Sequence, residues 1–115
     1  MTIEQWSDRI WLIKLGEEPA LSEDLLSLLA DLPVATPRPS VVIDLGAVEQ
    51  INSSNLSQLL RVRKFCIDAD TKLYLTAPTD SVWAVFLTTG LDKVFHFMPD
   101  SGTALAQLKI DDQSS

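Results

Sequence analysis

The stretch SVVIDLG, residues 40–46, constrains this chain most. Val41, Val42, Ile43 and Leu45 surround a single carboxylate with no polar alternation. A β-branched run of that kind is expected of a central strand whose two faces are both covered, the environment of a parallel sheet flanked by helices. It is preceded by ATPRPS, a proline-rich connection too short to link domains. It is followed, after a short turn, by INSSNLSQLLRVRKFCIDAD, where the apolar spacing changes to the three- and four-residue steps of a helix.

The same alternation runs through the rest of the chain. TIEQW and RIWLIKL, separated by Ser7 and Asp8, read as two strands joined by a tight turn. In the second, Trp11, Ile13 and Leu15 interleave with Ile10, Leu12 and Lys14, so part of it is buried on both sides. Leu21, Leu25, Leu28, Leu29 and Leu32 mark an amphipathic helix with Pro19 at its approach and Pro33 at its end. A helix over 53–68 is expected to turn Leu56, Leu59, Leu60 and either Phe65 or Ile67 inward. TKLYLTA reads as a strand, TDSVWAVFLTTG as a helix capped by Thr79 or Asp80 and stopped at Gly90, KVFHFM as a short strand and DSGTALAQL as a last helix. The order ββαβαβαβα predicts an α/β fold with a mixed, mostly parallel sheet and one antiparallel strand from the opening hairpin. At 115 residues the chain suits one domain, set at residues 1–110, with a polar tail over 111–115.

Charge and special residues narrow the chemistry. Sixteen Asp and Glu against nine Lys and Arg leave a net charge of −7, which argues against nucleic acid or an anionic membrane as partner. The one basic run, RVRK at 61–64, reads as a solvated helix face. Cys66 stands alone, so neither an intrachain disulfide nor CxxC chemistry is expected, in keeping with a reducing compartment. The opening MTIEQWSDRI lacks a basic leader and an apolar core, and no stretch approaches the ~18 apolar residues of a membrane span. A cytoplasmic location without membrane insertion is the expectation. One histidine, His96, and one cysteine cannot assemble the usual metal site. INSSNL is not a GxSxG elbow, and no GxGxxG or GxxxxGK is present. No catalytic residue, metal or cofactor is expected, and the chain reads as a non-enzyme.

Attention therefore falls on Ser53 and Ser54, framed by Asn52 and Asn55 where the buried strand hands over to a helix. Asn52 suits the N-cap, accepting from the backbone N–H of Ser54 or Asn55, and Ser53 could serve instead. That accounts for polar residues at a helix start without any function. The same helix start offers unpaired N–H groups and the positive end of a dipole, a favourable place for a phosphate.

VVIDLGAVEQINSSNLSQLL resembles the signature of STAS domains, in particular the bacterial anti-sigma factor antagonists. There, a strand closing on Asp and Leu leads to an apolar-Asp-Ser-Ser/Thr-Gly-Leu element at the start of a helix. SVWAVFLTTGLDKVFHFMPD is similar to a second family feature, a helix ending in a Thr89-Gly90-Leu91 turn before a short strand, and the order and spacing of elements agree over about residues 2–108. The resemblance implies a sheet with helices packed mainly on one side and no catalytic activity. It implies a protein partner, an anti-sigma factor or related serine kinase, bound at the helix start and released when Ser54, or less readily Ser53, is phosphorylated. Two positions depart from the motif. Asn52 stands where Asp is usual, removing a carboxylate that could orient the serine. Asn55 stands where Gly is usual, and its side chain is expected beside the hydroxyl, in the path of a kinase. These departures keep open an alternative within the family, an accessory subunit of a larger complex such as a transport ATPase, which is not phosphorylated. On the helix over 79–89, Val82, Val85 and Phe86 are expected inward. Trp83 and Leu87 would then share another face, packed under a loop or extending the partner surface.

Overall fold

The protein was analysed as a computed structural model, which describes residues 2–113. Strands β1 (Thr2–Ser7) and β2 (Ile10–Lys14) pair antiparallel across the Asp8-Arg9 turn. From β2 the sheet continues in parallel through β3 (Ser40–Asp44), β4 (Leu73–Thr76) and β5 (His96–Met98), in the spatial order β1-β2-β3-β4-β5. Helices α1 (Ala20–Asp31), α2 (Ser53–Asp68), α3 (Asp80–Thr89) and α4 (Ser101–Gln113) follow β2, β3, β4 and β5 in turn. The order and the mixed, mostly parallel sheet are those expected from the alternation of patterns.

The two faces of the sheet are covered unequally. Trp11, Ile13 and Leu15 of the β2 segment, Val41 and Ile43 of β3 and Leu73 and Leu75 of β4 face one side. There they pack with Leu21, Leu25 and Leu28 of α1, Leu56, Leu59 and Val62 of α2 and Val82 and Phe86 of α3. The intervening residues Leu12, Val42 and Tyr74 face the other side and meet only Ala104, Leu105 and Leu108 of α4, with Ile10 and Met98 at the margin. Three helices thus cover one face and one helix the other, which is why β3 is apolar without alternation: Val41, Val42 and Ile43 are all fully buried. Each such side chain contributes ~1.5–3 kcal/mol of burial.

Element ends differ from expectation where local chemistry intervenes. Pro33 does not simply stop α1; it opens a 3-10 turn, Leu32–Val34, that keeps Leu32 in the core. Gly90 closes α3 with φ +75°, a left-handed conformation that favours glycine, and the chain then spends Leu91–Lys93 on a second 3-10 turn. This leaves only three residues to β5 instead of the six of KVFHFM. The last helix runs past residue 110 to Gln113, so residues 111–113 of the expected tail are helical, while Ser114 and Ser115 lie outside the described residues. In α2, Leu56, Leu59, Val62 and Cys66 are buried, Leu60 and Phe65 are half-buried, and Ile67 is 56% exposed.

Candidate functional site

Helix α2 begins at the carboxyl end of β3, and its first turn is held without help from either serine. Asn52 is the N-cap: its side-chain oxygen accepts from the Asn55 backbone N–H at 2.9 Å, while Asn55 Oδ1 accepts from the Asn52 N–H at 3.0 Å. This is a capping box built from two amides in place of the usual hydroxyl and carboxylate. The Leu56 N–H reaches the Asn52 carbonyl at 3.0 Å. Ser53 and Ser54, at the first two helical positions, are exposed, and among the described residues their hydroxyls make no hydrogen bond. Of the two caps the sequence allowed, Asn52 onto Asn55 is the one formed. The hydroxyls are surplus to the fold.

Asn55 differs from the expectation drawn at its position. Its side chain is fully buried and points away from the serines, donating from Nδ2 to Ser22 Oγ of α1 at 3.2 Å. The Ser22 hydroxyl donates in turn to Glu18 at 2.6 Å, and Gln58 Nε2 donates to the Ser22 carbonyl at 3.2 Å. A polar seam joins the starts of α1 and α2, supplemented by a bond from the Glu49 N–H to the Glu17 carboxylate. The added side chain therefore braces the helix start from beneath and leaves the approach to Ser54 open. Pattern reading found neither Ser22, Glu18 nor Gln58. A Glu-Ser pair four residues apart across the start of α1 is an ordinary helix feature, and the link from Ser22 to position 55 spans 33 residues.

The loop before α2 is also tied to α3. Thr79 caps α3 by accepting from the Val82 N–H at 3.3 Å and donates its own proton to the Val48 carbonyl at 3.1 Å. One turn along, Trp83 is half-buried and stacks edge-on against Phe97 of β5, with ring centres 4.9 Å apart, packed against the main core. Leu87, another turn away from the helix starts, is 52% exposed. The structure thus brings Asn52, Ser53, Ser54 and Asn55 into one turn. Trp83 sits on the neighbouring helix with its ring engaged, and only Leu87 of that pair is open.

Charge singles out the same end of the molecule. The segments that run from each parallel strand into the first two turns of its helix carry Glu17, Glu18, Glu23, Asp24, Asp44, Glu49, Asp80 and Asp100, against Lys14 alone. The remaining eight acidic and eight basic side chains cancel, so the net −7 of the chain belongs to the end that bears the serines.

Reactive groups elsewhere are unsuited to catalysis with this loop. His96 is exposed and contacts Tyr74 edge-on, on the α4 side of the sheet, whereas α2 lies on the other side. Burial pushes the Cys66 thiol above its ordinary range, partly offset by a hydrogen bond with Thr71, so a thiolate is disfavoured. Tyr74 is raised by burial and by Asp111, to which its hydroxyl donates at 3.2 Å. Among the described residues no group of three or more His, Cys, Asp or Glu could hold a metal ion, and no helix is long and apolar enough to cross a membrane.

Comparison with known proteins places this geometry. The family model described as STAS domain matches residues 8–104. No curated protein matches the chain. Among solved structures, an anti-sigma-factor antagonist (STAS) domain protein from Planctomyces limnophilus is similar, at 21% identity and a TM-score of 0.80, over 94% of this chain and 97% of that one. A Ser-to-Glu variant of RsbS from Moorella thermoacetica gives 18% identity and a TM-score of 0.82, over 97% of both chains. A chain of the stressosome, described as a signal integration and transduction hub, gives 18% identity and a TM-score of 0.73, over 94% and 96%.

Proposed function

Because this chain belongs to the STAS domain family, we propose that it is an anti-sigma factor antagonist, a non-enzymatic module that works by binding a protein partner. Residues 1–110 act as one domain in the cytoplasm. The partner, an anti-sigma factor or related serine kinase, meets the turn Asn52–Asn55, with Leu87 and the edge of Trp83 at the periphery. The observation that carries this reading is the division of labour in that turn: asparagines hold the helix while both serine hydroxyls stand exposed and unbonded.

Phosphorylation of Ser54 releases the partner. A phosphate there adds a charge of about −1.5 to −2 at the positive end of α2, where the helix tolerates it. Among the described residues Lys14 is the only basic side chain in these strand-to-helix segments, so the cost falls on the complex. A penalty of about 3 kcal/mol weakens binding roughly a hundredfold. The acidic surroundings suit a partner whose contact surface is basic.

The test is a pull-down with wild type and Ser54→Asp, together with intact mass after incubation with the retained kinase and ATP. Wild type retains the partner and gains one phosphate; Ser54→Asp releases it, and Ser54→Ala binds but gains none. Binding without any mass change favours a second reading, which the amide at position 52 supports. With no carboxylate on the cap to orient a serine, the same surface serves as a constitutive contact in a larger complex.

A further inference from the structure

The face of the sheet carrying α4 is only partly covered. Beside α4 runs a groove of about 660 Å³, floored by Ile10 and Leu12 of β2 and rimmed by Glu4 and Trp6 of β1. Its other wall is α4 itself, through Gly102, Leu105, Ala106 and Lys109. Trp6 is 60% exposed, and so nearly is Ile110, at 59%, on the same helix. An open, largely apolar channel beside a helix, over strand residues that the helix covers from one side only, has the character of a missing second helix.

We propose that the occupant is α4 of a second copy of this chain, each copy filling the channel of the other about a two-fold axis. Three observations carry this choice. The wall is shallow: Gly102 and Ala106, one turn apart, keep side chains out of the way, so a neighbouring helix can approach closely. It is also self-complementary, because a two-fold axis across α4 sets the same small pair against itself and lays each helix over the partner's Ile10 and Leu12.

The third observation is charge. Glu4 and Lys14 face one another across the hairpin at 3.7 Å and neutralise each other. That leaves Lys109 toward one end of the channel, with no ion pair among the described residues. Asp44 lies at the other end, beside the start of α4. Asp44 pairs in register with Thr76, whose hydroxyl lies 3.1 Å from Ser101 Oγ, and Asp44 Oδ1 accepts from the Gly46 N–H. Antiparallel helices bring each Lys109 to the partner's Asp44, twice over. A parallel arrangement would set lysine against lysine. Association here leaves the start of α2, on the other face of the sheet, accessible in both copies.

Sedimentation velocity over a concentration series tests the proposal. Wild type sediments as a dimer, and Lys109→Asp and Asp44→Lys each weaken the dimer at least tenfold. An equimolar mixture of the two variants then restores a dimer, because each interface regains opposite charges in both contacts. Ala106→Arg, on an exposed helix position, gives a monomer with unchanged circular dichroism and covers the case in which Asp44→Lys disturbs the loop it anchors. A wild type that stays monomeric at high concentration, or a dimer indifferent to all three substitutions, overturns the proposal. The first outcome returns the channel to a different occupant and the second moves the interface elsewhere.

Discussion

At the scale of single residues, Asn55 does most to make the loop what it is. It supplies half of a capping box and reaches into the seam with Ser22, so its loss strands one donor, the Asn52 N–H, and one acceptor, the Ser22 hydroxyl oxygen, beneath the helix start. Asn55→Gly, which restores the residue usual in the family, should therefore destabilise this chain by about 1–3 kcal/mol, read from the urea midpoint. Ser54→Ala, at an exposed and unbonded position, should move stability by no more than ~0.5 kcal/mol. Equal effects from the two would mean that the serine, and not the asparagine, holds the turn. Asn52 as cap was legible in the sequence, because the N-cap preference is local chemistry. The burial of Asn55 was not. Whether the third helical residue faces solvent or a neighbour depends on where α1 lies, and nothing within four residues of position 55 encodes that.

Among elements, the long helices were the most legible and the short ends the least. Helix α2 occupies the span 53–68 read from its pattern, since a strong cap and sixteen residues of periodicity agree. Strand β5 shrank because a left-handed Gly90 makes the chain turn once more before it can extend. Helix α4 outran its pattern because burial of Ala104, Leu105 and Leu108 on the sheet supports it beyond the polar sequence that follows. Its start is fixed by Asp100, whose carboxylate accepts from the Thr103 N–H at 2.7 Å, a bond that holds the carboxyl below its usual range. A lowered folded-state pKa means that the contribution is complete above the unfolded value, ~3.9, and is lost as pH falls through the lower folded value. Asp100→Asn should accordingly be less stable than wild type at neutral pH, with the gap closing under acid as the wild-type carboxyl takes up its proton. Thermal melts of both proteins at neutral and acid pH check this, and a gap that persists in acid would assign the effect to something other than charge.

For the molecule as a whole, the fold class was written in the order of its patterns, whereas the unequal covering of the two faces followed only from the family resemblance. Nothing in DSGTALAQL says that it must cross to the side opposite the other three helices, because Ala104, Leu105 and Leu108 would pack on either. The placement of charge was equally hidden in a total of −7, since only the topology gathers scattered carboxylates from four connections at one end. A protein built this way behaves in solution as an electric dipole as much as a net anion. Its field turns the serine-bearing end toward an approaching positive surface before any contact is made. Encounter should then be fast at low ionic strength and slow markedly as salt rises, while the dissociation rate changes little. Stopped-flow association with the partner at several salt concentrations would show it, and an association rate insensitive to salt would mean that the partner arrives unguided.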